Sequence, residues 1–284
     1  MQKTPISSIT LDTREYLIKR DDLIDPYLAG NKYRKLYKLV HTQKERYKKI
    51  ISYGGTQSNA MLAIAALAKS KGWIFEYYTK PLSQRQREQK MGNYHNALGL
   101  GMQHREVPLE LYKDYIASLR IHLDRESLLI DQGGADTIAL EGLEVLAQEI
   151  EAEDLEFDAI ATPSGTGTTA LFLARALPHI RVYTTPSIGD VEYLKQQMRS
   201  LWEIPENLVI LTPAKKYHFA KPYKEFYDIY KKLLDQGIEF DLLYAPLMFQ
   251  TLQKQTDEKI LYIHSGGVSG NETMLQRYKK LKKV

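Results

Sequence analysis

Residues 157–177 read FDAIATPSGTGTTALFLARAL. A short apolar run, 157–162, meets a loop carrying Gly165 and Gly167, and the loop opens into a stretch that is apolar at nearly every position. That succession predicts a strand, a glycine-rich turn and a buried helix. The same unit recurs in both directions along the chain. Upstream come short strands at 8–11 and 16–19, a basic helix from Asn31, strand 49–53, helix 58–69, strand 73–78, helix 84–98, strand 102–107, a helix to about Arg120 and strand 128–131. After the Gly133-Gly134 break, helix 139–150 precedes the quoted stretch. Strand 180–184 follows it, and strand 259–264 with a last helix closes the chain.

Short β-rich runs alternating with helical patterns are the signature of mostly parallel sheets covered by helices. The expected fold is α/β, with two open, twisted, mostly parallel sheets flanked by helices. The Gly133-Gly134 break divides the units into a small domain over 46–133 and a large domain made of 1–45 and 134–284. Ligands of such proteins sit in the cleft between domains, outside the carboxyl ends of strands.

Composition narrows the chemistry. With 284 residues, 43% apolar and 26% charged, the chain belongs to the soluble globular class and can enclose a site. No apolar stretch approaches the roughly 18 residues of a spanning helix, and MQKTPISSITLDTREYL lacks the apolar centre of a signal peptide, so the expected location is the cytoplasm. Cysteine is absent, which removes disulfides, thiol nucleophiles and Cys-ligated metals. No metal is expected; chemistry falls to other side chains or a cofactor. The net charge of +4 is mild, although residues 32–49 concentrate Lys and Arg. Tyr33, Leu36, Tyr37 and Val40 recur there at helical spacing, so the basic stretch reads as a solvated helix face rather than a nucleic-acid surface.

Four segments can carry chemistry. In PSGTGTT, glycines let backbone N–H groups approach an anion, hydroxyls add donors and the helix start adds a favourable dipole; an ordinary strand-to-helix turn is the plainer reading. GTGTTA fits the pattern GxGxxA, but strand 180–184 ends in Thr184-Thr185-Pro186 without the acid that grips a ribose, and no Gly-Lys-Ser/Thr follows the glycines. A monophosphate cofactor therefore fits better than a dinucleotide or ATP. In AGNKYRKL, Lys32 starts a helix among cationic neighbours, which favours the free amine and Schiff-base chemistry, though it is one lysine of many. In GGTQSNA, Ser58 and Asn59 stand at a helix start, as caps or as anion donors. FDLLYAP and ILYIHSGG place Tyr244 after an apolar run and Ser265 at a strand end, facing the ligand crevice of such sheets.

Together and in this order, the segments resemble the fold-type-II pyridoxal-phosphate enzymes, and within them the 1-aminocyclopropane-1-carboxylate deaminase/D-cysteine desulfhydrase family. The match runs from about Ile18 to Gly270. It is carried by IKRDDLIDPYLAGNKYRKL, SYGGTQSN, SGTGTT, FDLLY and ILYIHSGG. The resemblance implies pyridoxal 5'-phosphate as cofactor, with Lys32 as its Schiff-base lysine and proton carrier. Lys35, Gly165, Thr166, Gly167, Thr168 and Thr169 would hold the phosphate, and Asn59 the phenolic oxygen. Ser58 would bind the substrate carboxylate or assist proton transfer, and Tyr244 would face the substrate. Ser265 would partner the pyridine nitrogen, its hydroxyl leaving the ring largely unprotonated.

The chain departs from the family pattern at three places. Ala60 replaces the usual His or Gln after Ser-Asn. Ala245, Pro246 and Leu247 follow the tyrosine, where ring-opening members carry an acid next and a Gly-Lys follows. The family's second active-site tyrosine has Tyr217 as its candidate. The resemblance thus implies a lyase or deaminase acting on a small amino acid, most like D-cysteine desulfhydrase, with no nucleic-acid or membrane partner and a homodimeric assembly. Ring-opening deamination, another amino-acid reaction, or cofactor binding without turnover are the alternatives.

Overall fold

The computed structural model describes residues 3–28 and 30–281. Two sheets divide the chain. β1 (Ile6–Leu11) and β2 (Arg14–Lys19) form a hairpin, and α1 (Gly30–His41) leads away from it. The second sheet follows through β3 (Lys49–Tyr53), α2 (Asn59–Lys71), β4 (Ile74–Thr79), α3 (Gln84–Glu88), α4 (Gly92–Gly99), β5 (Gln103–Glu106), α5 (Tyr112–Ile121) and β6 (Ser127–Ile130). The chain then returns to the first sheet with α6 (Ala139–Glu151), β7 (Ala159–Ala161), α7 (Thr168–Ala176), β8 (Arg181–Thr184), α8 (Val191–Arg199) and β9 (Leu208–Ile210). It ends in α9 (Lys224–Asp235), α10 (Ala245–Gln255), β10 (Ile260–Ile263) and α11 (Asn271–Lys280).

The smaller sheet has the order β5-β4-β3-β6 and is parallel throughout. The larger runs β1-β2-β10-β7-β8-β9, antiparallel only between β1 and β2. The α/β class with two mostly parallel sheets is therefore as expected. Parallel strands must be joined by crossovers, and helices such as α2 and α7 supply them, buried on nearly every side because their sequences lack a polar face. Each fully buried Leu, Ile or Phe contributes roughly 1.5–3 kcal/mol of transfer free energy. Large parts of the core lie against α6 and α7 in one sheet and α2 in the other.

The late strand β10 lies between β2 and β7, with Ile263 opposite Lys19 and Tyr262 opposite Ala161. That insertion puts three carboxyl ends side by side. β2 leads to α1, β7 to the glycine loop and β10 to Ser265.

One local expectation changes. The single helix expected over 84–98 is broken: α3 is one short turn closed by a Ser83/Gln86 capping box, and α4 starts afresh at Gly92, whose φ is +78°. A Cβ there would come within 2.4 Å of Thr273 Cγ2, so contact with α11 overrides the helical pattern. The apolar run FDLLY lies outside both sheets. Asp241 Oδ1 accepts from the amides of Leu243 (3.0 Å) and Tyr244 (2.7 Å), and this turn starts α10, with Pro246 in its first turn.

Candidate active site

A cavity of about 180 Å³ opens between the two sheets' carboxyl-end segments. Lys32, Lys35, Ser58, Asn59, Gly165, Thr166, Gly167, Thr168, Thr169, Tyr244 and Ser265, which come from five separate segments, all line it. Tyr217 does not. Its hydroxyl donates to Gln250 Oε1 at 2.9 Å and its ring packs on Phe226, while Phe219, two residues on, lines the cavity with its ring 5.4 Å from that of Tyr244. The candidate second tyrosine is thereby corrected. An aromatic does stand there, but it carries no hydroxyl.

Lys32 reaches the site because α1 begins against β10. A Cβ on Gly30 (φ +55°) would lie 2.1 Å from the Ser265 carbonyl, so only glycine permits this approach. Two residues later, Lys32 Nζ donates to Asn31 Oδ1 (2.8 Å), and Asn31 Nδ2 donates to Thr169 Oγ1 (3.3 Å). A single asparagine thus ties the amine to the glycine loop. Burial pulls the Lys32 pKa down to about 8, the more distant Asp241 opposing it, so free amine is far more accessible near neutral pH than for an ordinary lysine. Lys35 is pushed well below the usual lysine range, by burial and then by Lys32. Its Nζ donates to the Gly133 carbonyl at 3.2 Å.

The glycine loop is a cradle. Gly167, at φ +80°, precedes α7, and a Cβ there would meet Met198 at 2.6 Å. Thr168 and Thr169 are buried at the helix start, and the hydroxyls of Thr166 and Thr168 lie 3.0 Å apart. Backbone donors at a helix start, threonine hydroxyls and the Lys35 ammonium suit a phosphate. On the opposite wall Ser58 caps α2, its Oγ accepting from Met61 N (3.1 Å). Its hydroxyl also lies within hydrogen-bond reach of the Tyr77 phenol. Asn59 Oδ1 accepts from Asn93 (2.6 Å), and its amide nitrogen lies over Gly267, where a Cβ would fall at 2.5 Å.

Ser265 Oγ has two contacts, with Thr162 Oγ1 and the Ile263 carbonyl, both at 3.5 Å and therefore weak. Its hydroxyl is left under-used. Tyr244 is held protonated by burial, with Asp241 adding to the effect. Asp241 also lines the cavity, and burial raises its pKa to about 6 against the pull of its amide donors and Lys32. This carboxylate was not among the residues singled out from the sequence. An Asp whose side chain can close a turn on the amides two and three residues on, just before Tyr244, is the signal that marks it.

A Pyrococcus horikoshii protein, provisionally named a 1-aminocyclopropane-1-carboxylate deaminase, is 28% identical, covering 94% of this chain and 90% of its own. The bifunctional D-cysteine desulfhydrase/1-aminocyclopropane-1-carboxylate deaminase of Arabidopsis thaliana mitochondria is 25% identical, covering 90% and 73%. A crystal structure of an ACC deaminase homologue matches with a TM-score of 0.77 at 25% identity, over 98% of this chain and 94% of that one. The family resemblance holds. No family model matches the sequence. A threonine deaminase, at 14% identity and a TM-score of 0.70, shares the fold, the fold-type-II arrangement expected from the sequence. Among the described residues no helix is long and apolar enough to cross a membrane.

The residues present fit pyridoxal phosphate. A buried amine of lowered pKa stands in the same cavity as a helix-start phosphate cradle with its own lysine, an amide donor and an under-bonded serine at a strand end.

Proposed function

We propose that the chain is a pyridoxal-phosphate-dependent lyase or deaminase of a small amino acid, most like D-cysteine desulfhydrase. The observation that carries this reading is the convergence of Lys32 and the Gly165–Thr169 loop on one cavity, joined through Asn31. On this reading the loop and Lys35 would hold the cofactor phosphate, Asn59 would donate to its phenolic oxygen and Ser265 would partner its ring nitrogen. When bound, the cofactor supplies the electron sink that stabilises negative charge at the substrate α-carbon. The site would lie in the cleft between a small domain (46–133) and a large one (1–45 with 134–284).

The chain's own groups do the rest. Lys32, neutral in part near pH 7, accepts and returns the α-proton. Ser58, held by its capping bond, offers its O–H to the substrate carboxylate. Tyr244 stays protonated and acts as a hydrogen-bond donor. Phe219, Ile188 and Ala60 add apolar surface to the cavity wall, which suits a small substrate with few polar groups. For D-cysteine the balance is loss of sulfide from the β-carbon, then hydrolysis to pyruvate and ammonia.

Ring-opening of 1-aminocyclopropane-1-carboxylate is the second reading, favoured by the names of the relatives. Ala245 speaks against it. It stands where ring-opening members carry an acid, is fully buried and starts α10. Incubating the cofactor-loaded protein with D-cysteine, and separately with the cyclopropane substrate, decides between them. Sulfide with pyruvate is expected from the first, and 2-oxobutyrate from the second alone would reverse the assignment. A visible cofactor band with neither product would identify a binding protein without turnover.

A further inference from the structure

A second, more open cavity of about 730 Å³ lies beside the first, and Gln57 lines both. Its walls come from α3, α11 and the segment 220–222. Arg85, Arg277 and Lys280 meet there, and among the described lining residues Glu88 is the only carboxylate. Glu88 is already engaged, accepting from Gln84 Nε2 at 2.8 Å. Among the described residues none of the three cations has a carboxylate within ion-pair distance, whereas nearby Arg87 is paired with Glu106. Arg277 is half-buried, and its Nη1 donates to the carbonyl of Ala220 (2.8 Å), a non-glycine residue held at φ 59°. Burial and the facing charge of Arg85 both push the Arg277 pKa down. Like charges gathered in a concave place attract an oxyanion, and guanidinium groups match carboxylate and phosphate geometry.

We propose that this cavity is a binding site for a small oxyanion, a carboxylate or phosphate group, held by Arg85, Arg277 and Lys280. The anion is either free or a distal acid group of a molecule that also enters the first cavity past Gln57. Its wall is continuous with the first site, because Phe219 lines one cavity while Ala220 and Pro222 line the other.

The test is a calorimetric titration of the full chain, saturated with pyridoxal phosphate, with inorganic phosphate. Three proteins are compared: the wild type, Arg85→Gln/Lys280→Gln and Thr168→Ala. Arg85 and Lys280 are exposed, so the double variant keeps its fold, and retaining Arg277 keeps the 220–222 segment anchored. Saturable binding that weakens tenfold or more in the double variant and is unchanged in Thr168→Ala is expected. Absence of saturable binding overturns the proposal. So does binding that survives in the double variant, or binding lost in Thr168→Ala, which would put phosphate on the Gly165–Thr169 loop. Should the chain take up no pyridoxal phosphate, the same comparison on the unloaded chain still separates the two places, so the functional reading and this site fail independently. O-Phospho-D-serine then distinguishes the sources. Affinity reduced by the double variant and also by Ser58→Ala indicates a group carried on the substrate; affinity reduced by the double variant alone indicates a free anion.

Discussion

Helix α1 buries cations on two faces and treats them in opposite ways. On one face Arg34 is fully buried and fully paired: its guanidinium holds Asp21 at 2.8 and 2.9 Å and Glu149 at 2.7 and 2.8 Å. Lys19 joins the cluster, 3.1 Å from Glu149 and 2.6 Å from the Thr4 carbonyl. A Cβ on Gly142 would lie 1.9 Å from the Arg34 carbonyl, so α6 packs directly on α1 at this point. On the other face Lys32 and Lys35 have an amide oxygen and a backbone carbonyl for company and no carboxylate in contact. A buried charge with every hydrogen bond satisfied anchors structure; one without a counter-charge titrates early and is available for chemistry. The anchored face holds the reactive face still.

The sharpest way to break this contrast is Lys32→Ala. Turnover should fall by about 10³-fold or more, while the denaturation midpoint stays level or rises because an uncompensated buried cation is gone. A variant retaining a tenth of the activity would sink the assignment. Arg34→Met should do the reverse. Leaving Asp21 and Glu149 buried without their partner costs about 3–5 kcal/mol, read from urea unfolding, and a loss under about 1 kcal/mol would show that the cluster supports nothing.

Tyr244→Phe should lower turnover by about 10²-fold if the hydroxyl donates in the reaction, with unfolding little altered. Titration sharpens the contrast further. Folded Lys32, with a pKa of about 8, binds fewer protons than the unfolded lysine between there and the usual 10.5, so it makes stability rise with pH across that window. The difference between wild type and Lys32→Met should carry that slope. Asp241, raised from 3.8 to about 6, contributes stability that is complete below 3.8 and lost as pH rises through about 6, and the difference between wild type and Asp241→Asn should show it. The smallest effect belongs to Tyr217→Phe. Its hydroxyl bonds Gln250 outside the cavity, so activity should stay within about twofold.

Much of this was legible in the chain. β3 stands at 49–53 as the apolar run placed it, and α2 gains only two residues beyond the expected end because Gly72 supplies its left-handed cap at φ +73°. Runs of one hydrophobic period, with caps and glycines at their ends, are local information, and local physics reads them. The phosphate loop is legible for the same reason, since glycines, hydroxyls and the helix that orients them are neighbours in sequence.

What the chain could not display was decided across distance. Contact between Gly92 and Thr273 split a helix, and the Asp241 carboxylate fixed the turn that leads into α10. Phe219 rather than Tyr217 faces the cavity. The pairing of Arg34 and the isolation of Lys32, two residues apart on one helix, depend on Asp21, Glu149 and the place of β10 beside β2. Residue type and spacing by themselves determined which groups this protein has for chemistry. Only the tertiary structure decided which of them are neutralised and which are left to react, because burial and counter-charge belong to the packed surroundings of a side chain and not to its neighbours in sequence.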